Sequence, residues 1–467
     1  MDTSKQNSDT TEITTRDNSK PVVKNLWKVG DGEYQFHATI FSTDSTAEDE
    51  TILFFKKVNI MDLEKRKKVY GVCGECNEPG TGSRWCQPCN AKRFKENFKN
   101  WTSGNKNIDE LIQQSQLNAF YCTRSLEWIP FENFENVTYL TRGGFSKIYS
   151  AGWPEGNIGH WDIENQKWKR TSRKVALKCL NNLFNNISND FLNEIKYYIS
   201  CHFHATNTVV CFGITQDPDT KDYMMVLEYF GGGNLRNILT KGLDYKTKME
   251  FLFCIIDGLS GIHDAGNIHK DFHSGNILHD NKDDLLSISD LGMSADIYSF
   301  GIIMNELMSE EIPYSDNPND NFLVVKICKG FRPKISEVTP KLIVDLIIKC
   351  WDAKAANRPT AKELRQIFFK YDLEMEDENS EISYQIKECE KIKENKLKNR
   401  TNENQSKNHP QAIYTSRLLN FENLPEPVNS TDYLSSFQET ISSSANPIFE
   451  CLDCELNELD LNQDDDE

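Results

Sequence analysis

Two pairs of cysteines have the residue type and the spacing that bind a metal ion. Cys73 and Cys76 form one Cys-x-x-Cys pair, and Cys86 and Cys89 form a second pair after nine intervening residues. Each pair presents two thiolates from one tight turn, and two such turns complete a tetrahedral sulfur site, so we predict a zinc ion. Because four ligands leave no open coordination position, we expect a structural site rather than a catalytic one. Reduced cysteines in a loop and a redox pair are the alternatives.

Acidic residues outnumber basic ones: the 467 residues include 71 Asp and Glu against 53 Lys and Arg, a net charge of −18. This charge repels phosphate backbones and disfavours nucleic acid as a partner. We interpret the basic residues around the cysteines as a solvated face. No signal-peptide pattern or apolar run of about 20 residues is found, so we expect a soluble cytoplasmic protein, with the nucleus as an alternative and without a membrane partner. The 14 cysteines are then expected to be reduced thiols plus a metal site.

Composition and periodicity divide the chain into five parts, in order 1–32, 33–60, 65–118, 135–371 and 372–467. The first is expected to be disordered and the second to hold short β-like runs. The third is the predicted zinc module with its helices, and the fourth alternates strand and helix signals as one globular unit. The last is expected to be an acidic, mostly disordered tail with one helical stretch near 382–397. An apolar island at 414–424 is interpreted as incidental rather than as a docking segment.

Five motifs of the fourth part occur in the order that protein kinases have them. They are Thr141-Arg142-Gly143-Gly144, Val175-Ala176-Leu177-Lys178, His269-Lys270-Asp271-Phe272-His273-Ser274-Gly275-Asn276, Asp290-Leu291-Gly292, and the stretch that ends in Asn357-Arg358-Pro359. On these motifs the chain resembles the tyrosine-kinase-like branch of the protein kinase superfamily, in a form found in expanded fungal kinase families. The resemblance implies an α+β, bilobal fold, with a β-rich N-lobe and a helical C-lobe.

The resemblance also implies roles for individual residues. Lys178 would hold the α- and β-phosphates of ATP and pair with Glu194 from the next helix. Asp271 would accept the proton of the substrate hydroxyl, and Asn276 and Asp290 would ligate Mg²⁺. The residues implied in ATP binding are Thr141, Gly143, Gly144, Ile148, Ala176, Lys178, Glu228 and Tyr229. ATP, Mg²⁺ and structural Zn²⁺ are therefore the expected cofactors.

Three substitutions depart from the family pattern. Only Gly143 remains of the three glycines usual in the phosphate loop, Lys270 replaces an arginine, and His273 stands where many serine/threonine kinases have a lysine. A lysine is a poorer bidentate phosphate clamp than an arginine, and the charge of a histidine varies near neutral pH. Lys178, Asp271, Asn276 and Asp290 are all present, so nucleotide binding is expected.

The largest departure is a deletion. Only residues 293–295 separate the Asp290-Leu291-Gly292 motif from Asp296, where kinases carry an activation segment and an Ala-Pro-Glu anchor. By the same resemblance, Asp296 is expected to cap the amides of residues 269–276, the implied catalytic loop. Arg358 matches the arginine that pairs with the anchor's glutamate, and a buried charge without its partner costs about 3–5 kcal/mol. We expect Arg358 to turn to solvent, find another acid or weaken the C-lobe. A skipped exon or a faulty gene model would produce the same junction.

Three functions are compatible with these features. The first is phosphoryl transfer from ATP to Ser/Thr or Tyr hydroxyls of proteins, impaired by the deletion because catalysis of this kind is mostly positioning. The second is a nucleotide-binding pseudokinase that acts as a scaffold in signalling. The third is an interaction protein built on the zinc module, with a kinase remnant. In each case the expected macromolecular partner is a protein substrate or a signalling protein.

Overall fold

The computed structural model describes residues 62–398 and 424–430, with short gaps, and the backbone of four strands that precede them. The gaps lie at 83, 144–145, 181–188, 202–206, 240–241, 270, 282–284, 290–295 and 318–320. The four strands are β1 Val23–Val29, β2 Gln35–Phe41, β3 Thr51–Ile52 and β4 Phe55–Asn59, in the antiparallel order β2-β1-β4-β3. Strand β1 lies inside residues 1–32, the part expected to be disordered. Its valines and tryptophan are strong β-formers. The expectation of disorder rested instead on the polar composition of the first twenty residues.

Three helices accompany the cysteine cluster: α1 Leu63–Tyr70, α2 Gln87–Asn97 and α3 Lys106–Asn118. Both Cys-x-x-Cys turns lie between α1 and the first turn of α2, where Pro88 is well tolerated because the first amides of a helix have no partner. Helix α3 is capped by the side chain of Asn105, which accepts hydrogen bonds from two N–H groups of the first turn. Its Ile108 and Ile112 are fully buried in the main hydrophobic core, so the module packs directly onto the next domain.

A six-stranded sheet follows, in the order β5-β9-β10-β8-β7-β6. Its strands and the helix between them are β5 Glu127–Trp128, β6 Glu135–Arg142, β7 Ser146–Asp162, β8 Lys167–Leu180, α4 Asn189–Cys201, β9 Cys211–Gln216 and β10 Tyr223–Glu228. Side chains along a strand alternate between its two faces. Val175, Leu177 and Cys179 of β8 are buried in one small core, which leaves the intervening residues of this strand on the opposite face of the sheet.

Strands β7 and β8 continue beyond the sheet as a long hairpin over residues 153–173. The register shifts between Trp153 and Asn157, and Gly156 sits at this bulge with a φ of +66°. A Cβ atom at position 156 would lie 1.6 Å from the carbonyl oxygen of Thr171, so this bulge requires glycine. The hairpin has an apolar face, because Trp153 and Ile158 are buried.

The apolar face of the hairpin packs against the cysteine module. The ring of Trp168 stacks on Trp85 at 5.7 Å and on Phe94 at 5.1 Å between centroids. The guanidinium of Arg93 lies 4.3 Å from the ring centroid of Trp161, a distance typical of a cation–π contact. These aromatic contacts explain why the hairpin is long: it extends far enough to give the small module a surface on which to pack.

The second lobe is helical. Its elements are α5 Leu235–Leu239, α6 Tyr245–Asp264, β11 Ile277–Asp280, β12 Leu285–Ile288, α7 Asp296–Ser309, α8 Asn321–Cys328, α9 Lys341–Cys350 and α10 Ala361–Glu374. Helix α7 runs through the core, with Phe300, Met304 and Leu307 fully buried. A β-rich first lobe and a helical second lobe confirm the predicted α+β, bilobal fold. Among the residues that the structure describes, no helix is long and apolar enough to cross a membrane.

A last helix, α11 Glu381–Lys398, continues the globular unit beyond the expected boundary at 371. The helix coincides with the stretch expected near 382–397, and it packs on the C-lobe rather than standing in the tail alone. Ile382, Ile386 and Cys389, at i, i+4 and i+7, belong to the main core. The Lys393 ammonium pairs with Glu310 at 3.0 Å. The polar composition of the tail hid this apolar stripe, which has only about one residue per helical turn. Burial of so narrow a stripe stabilises the helix only because the C-lobe surface faces it.

We expect Ile382→Ala to lower the free energy of unfolding by about 2–4 kcal/mol, because it removes a fully buried side chain and leaves a cavity. Tyr384→Ala on the same helix is the control, since Tyr384 is 63% exposed and should change stability little. Chemical denaturation of the full chain measures both variants. Equal stabilities of the native chain and Ile382→Ala would contradict the packing of α11.

Candidate active site

Lys178 lies at the centre of the N-lobe sheet. It is opposite Ile148 of β7 and opposite Met225 of β10. Directly opposite residues of an antiparallel pair share a face, and Ala176 is two residues along the same strand. Ile148, Ala176 and Lys178 therefore share the face opposite the small buried core of the sheet. The structure thus brings together three of the residues implied in nucleotide binding.

A buried ion pair joins this sheet to helix α4. The Lys178 Nζ atom lies 2.6 Å from Glu194 Oε1, and the two side chains are only 5% and 13% exposed. Charges are buried at this depth only when they are paired, because an isolated one would carry the full cost of desolvation. The pair therefore fixes both the position of α4 and the direction of the lysine.

The loop that contains Asp271 and Asn276 is closed by its own side chains. The Asn276 Nδ2 group donates to the Asp271 carbonyl oxygen at 2.9 Å and to Asp271 Oδ2 at 3.3 Å. The Asp271 side chain remains 48% exposed. A carboxylate and an amide oxygen are thus held side by side at an accessible position. Both are ligand types that suit Mg²⁺, and the carboxylate can also accept a proton.

His273 lies beside this carboxylate. Its Nδ1 atom accepts the N–H of Gly275 at 2.9 Å, and its Nε2 atom lies 3.5 Å from Asp271 Oδ1. In a neutral ring the proton is therefore on Nε2, on the side of Asp271. A Cβ atom at position 275 would lie 2.7 Å from the His273 ring, so Gly275 is needed for the ring to stay in this place.

The catalytic loop is anchored to the core by Asp296, at the start of α7. Its Oδ2 atom accepts the backbone N–H of His269 at 2.7 Å and faces His263 Nε2 at 2.9 Å. The side chain of Asp296 is only 1% exposed. The His269 ring in turn donates from Nε2 to the carbonyl oxygen of Ser289 at 2.6 Å. Asp296 thus bonds a catalytic-loop amide as expected, and His269 carries this support on to the residue just before Asp290.

Three residues of the predicted set or its surroundings, Gly144, Lys270 and Asp290, lie outside the described residues. Of the phosphate loop, Thr141 is exposed and paired with Ile148, and the N–H of Gly143 donates to Ser146 O at 2.8 Å. These two positions therefore stand at the rim of the sheet, next to the Lys178 face.

The connection after β10 contains Glu228 and Tyr229. The backbone N–H of Glu228 donates to Val210 O at 2.9 Å. The adenine base of a bound nucleotide would therefore have to contact other backbone groups of this connection. Burial raises the pKa of the Glu228 carboxyl, although Arg173 opposes the shift. The Lys174 ammonium lies 4.0 Å from the ring centroid of Tyr229, which holds that side chain against the sheet.

A second buried ion pair supports the loop from below, and sequence reasoning missed it. Arg236 Nε lies 3.2 Å from Glu306 Oε1, and Arg236 Nη2 donates to Ser274 Oγ at 3.0 Å. Burial raises the pKa of Glu306, and the Arg236 guanidinium opposes the shift. A signal was present, because Glu306 is the only acid between Ile297 and Met308, a stretch that is otherwise mostly apolar.

The four cysteines converge, as their spacing predicts. Their Sγ atoms all lie within 4.8 Å of one another, with Cys73 to Cys89 at 3.9 Å and Cys76 to Cys86 at 3.6 Å. A tetrahedral ion with Zn–S bonds near 2.3 Å requires sulfur–sulfur distances of about 3.8 Å. Burial raises the pKa of the Cys86 thiol to about 12. Burial would also raise the pKa of Cys73, but backbone N–H groups of Cys76 and Glu75 lower it on balance. The cluster has the geometry and donor set of a zinc site.

Arg358 follows none of the three expected courses entirely. Its Nε atom donates to Asp352 O at 2.7 Å and its Nη2 atom to Ala353 O at 3.4 Å, and the guanidinium lies 5.3 Å from the Tyr298 ring centroid. Burial lowers the pKa of Arg358, against the effect of Tyr298 and Asp352. Backbone carbonyls and an aromatic face therefore take the place of the expected acid, since both stabilise a cation without adding a charge.

A bilobal fold with a buried Lys–Glu pair in its sheet and an Asp–Asn loop beneath it defines the protein kinase class. A family model described as protein tyrosine and serine/threonine kinase matches residues 134–297 and 294–368, about half of the chain. The chain belongs to this family. Protein kinase activity is thereby supported at the level of the family.

Three relatives illustrate the similarity. The chain is 26% identical over 288 residues to the serine/threonine-protein kinase/receptor R831 of Acanthamoeba polyphaga mimivirus (52% of this chain, 16% of that protein). It is 25% identical over 212 residues to human receptor-interacting serine/threonine-protein kinase 1 (34% and 31%). It is 24% identical over 277 residues to the dual specificity protein kinase pyk3 of Dictyostelium discoideum (52% and 19%). The match spans less than a third of each of these relatives.

Proposed function

We propose that this chain binds Mg²⁺-ATP between its lobes and that its transfer of phosphate to protein hydroxyls is slow. The observation that carries the proposal is the buried Lys178–Glu194 pair, which lies in the sheet of the N-lobe, while the C-lobe holds Asp271 and Asn276 in one closed loop. A lysine fixed at 2.6 Å from its glutamate is directed and charged, as a group that neutralises phosphate must be.

The residues fit the groups that they would hold. Lys178 would stabilise phosphate charge, and the apolar Ile148 and Ala176 on its face of the sheet would accept a planar base. Asn276 would hold Mg²⁺ together with Asp290, which the family pattern implies and which lies outside the described residues; the ion would supply positive charge against the phosphates. Asp271, half exposed and next to the His273 Nε2 atom, would orient the substrate hydroxyl and accept its proton.

Slow transfer follows from the short junction ahead of α7. From Ser289 to Asp296 the chain takes seven steps, a reach of at most about 25 Å, which is enough to connect these elements but leaves little chain for a peptide platform. The two stretches of the family match also meet at 294–297, as they would if family sequence were missing there. The nucleotide half of the site is thus retained and the peptide half is reduced. Because phosphoryl transfer depends on positioning both reactants, transfer to a protein is slow. A nucleotide-binding pseudokinase is the second candidate.

We propose in addition that the four-cysteine cluster holds one structural Zn²⁺. Four sulfurs near the corners of a tetrahedron leave no position for a substrate. The ion would fix the start of α2, whose Phe94 stacks on Trp168 of the hairpin. Zinc would thereby secure the surface that the module presents to the N-lobe.

Mg²⁺-ATP should stabilise the native chain by about 2.7 kcal/mol when its free concentration is 100 times the Kd, because it binds only the folded state. We expect Lys178→Met to abolish the thermal shift. Lys169→Met, an exposed position on the same strand, should retain it. Each variant is also melted without nucleotide, which separates lost binding from lost folding. Absence of a shift in the native chain at millimolar nucleotide would refute nucleotide binding.

Transfer to a generic protein substrate should be at least ~100-fold slower in the native chain than in a chimera with a relative's activation segment inserted after Met293, because a poorly placed hydroxyl costs about this factor. Asp271→Asn should abolish transfer by the chimera. Fast transfer by the native chain that is lost in Asp271→Asn would show that the missing segment is dispensable. If the chimera binds Mg²⁺-ATP and still transfers nothing, the pseudokinase is favoured.

Metal analysis of the purified chain should give one zinc per chain, and Cys76→Ser should lose most of it, since a structural site needs all four ligands. Cys328→Ser is the control, because Cys328 lies in the C-lobe away from the cluster. Loss of zinc should also lower the melting temperature, because a metal that binds only the folded chain adds its binding free energy to the free energy of folding. If the native chain, purified without chelators, contains no zinc, the proposed zinc site is wrong.

A further inference from the structure

A short stretch of the tail, residues 424–430, lies on the C-lobe and makes specific hydrogen bonds there. The N–H of Val428 donates to Cys328 O at 2.9 Å, and Arg332 Nη2 donates to Val428 O at 3.4 Å. Asn429 Oδ1 accepts the N–H of Ala353 at 2.8 Å. Both backbone groups of Val428 and the side chain of Asn429 are therefore satisfied by the C-lobe, which is how an extended peptide is recognised in a groove.

The surface beneath this stretch is organised around Arg332. Besides Val428 O, its guanidinium donates to the carbonyl oxygens of Ile327 at 2.7 Å, Phe331 at 3.0 Å and Trp351 at 3.3 Å. It also lies 5.2 Å from the Tyr298 ring centroid. Because the protein itself holds the guanidinium in place, the second N–H of Nη2 is pre-organised for one more acceptor, and Val428 O supplies it.

The sequence of the stretch suits this surface. Pro425 and Pro427 restrict the backbone to extended conformations before docking, so less conformational entropy is lost on binding. The connection from Lys398 to Leu424 tethers the stretch to α11, and tethering of this kind raises the effective concentration to about the millimolar range. A few hydrogen bonds are then enough to keep it docked.

We propose that residues 424–430 are an intrachain docking segment whose receptor is the C-lobe surface formed by Cys328, Arg332 and the Asp352–Ala353 turn. The same turn holds Arg358 through the carbonyl oxygens of Asp352 and Ala353, while Asn429 holds it through the N–H of Ala353. The docked segment thus supports the turn that Arg358 depends on. That it does so in place of a missing anchor rests on the proposed loss of the activation segment; the docking itself does not.

Hydrogen–deuterium exchange of the full chain tests the docking at residue level. The amides of Val428 and Ala353 should be protected in the native chain, and Asn429→Ala should speed the exchange of both about tenfold, since local opening becomes easier when a bond is lost. Glu426→Ala is the matched control, because Glu426 is exposed and neighbours the contact residues. Amides of α6 serve as a reference for global unfolding and should not change.

Two outcomes would overturn the docking itself: native amides of Val428 and Ala353 that exchange at unprotected rates, or protection that Asn429→Ala leaves intact. Replacing 424–430 by a Gly/Ser sequence of equal length should reproduce the effect of Asn429→Ala at Ala353. Protection must also survive tenfold dilution, because its loss would mean that the segment docks on a second copy. Binding of Mg²⁺-ATP is measured on the same samples, so that failure of docking and failure of the nucleotide proposal are distinguished.

Discussion

The buried carboxylate of Asp296 connects the central helix of the C-lobe to the loop that carries Asp271 and Asn276. It accepts the backbone N–H of His269, and the His269 ring reaches Ser289. Ser289 in turn donates from its N–H and its hydroxyl to the carbonyl oxygen of Asn276, at 2.9 and 3.0 Å. None of these bonds involves residues between Ser289 and Asp296, so these contacts do not depend on the length of that junction. The loop that carries Asp271 and Asn276 therefore keeps its support whatever the length of that junction.

A buried lysine makes the tail helix part of the C-lobe. Lys248 of α6 is 1% exposed, and its ammonium lies 2.7 Å from Glu310 Oε1, which Lys393 of α11 also reaches. Burial lowers the pKa of Lys248, and Glu310 opposes the shift. Two lysine ammonium groups beside the Glu310 carboxylate favour its charged form. Helix α11 thus contributes charge as well as apolar area to a core that composition alone would have ended at Tyr371.

The cysteine module contacts the N-lobe through the β7–β8 hairpin. Arg170 of the hairpin bonds Glu127 of β5 at 2.7 Å and the carbonyl oxygen of Gly156 at 2.9 Å. Burial raises the pKa of Glu127, although Arg170 opposes the shift. The hairpin is therefore fastened to the sheet at its base, while Trp168 receives the module further out. A metal bound to the cysteines would act on the N-lobe through this rigid hairpin rather than through the cleft.

Local chemistry in the sequence determined the motifs and the side chains that meet in them. The spacing of Cys73, Cys76, Cys86 and Cys89 predicted a four-sulfur cluster, and the ordered kinase motifs predicted the fold and the Lys178–Glu194 pair, because short-range geometry and a shared family pattern constrain both. Only the tertiary structure decided the rest: that Arg236 pairs with Glu306, that α11 and residues 424–430 return to the C-lobe, and that Arg358 turns to carbonyls. These contacts join residues distant in sequence, and their free energy depends on burial and on a facing surface that a linear pattern does not contain.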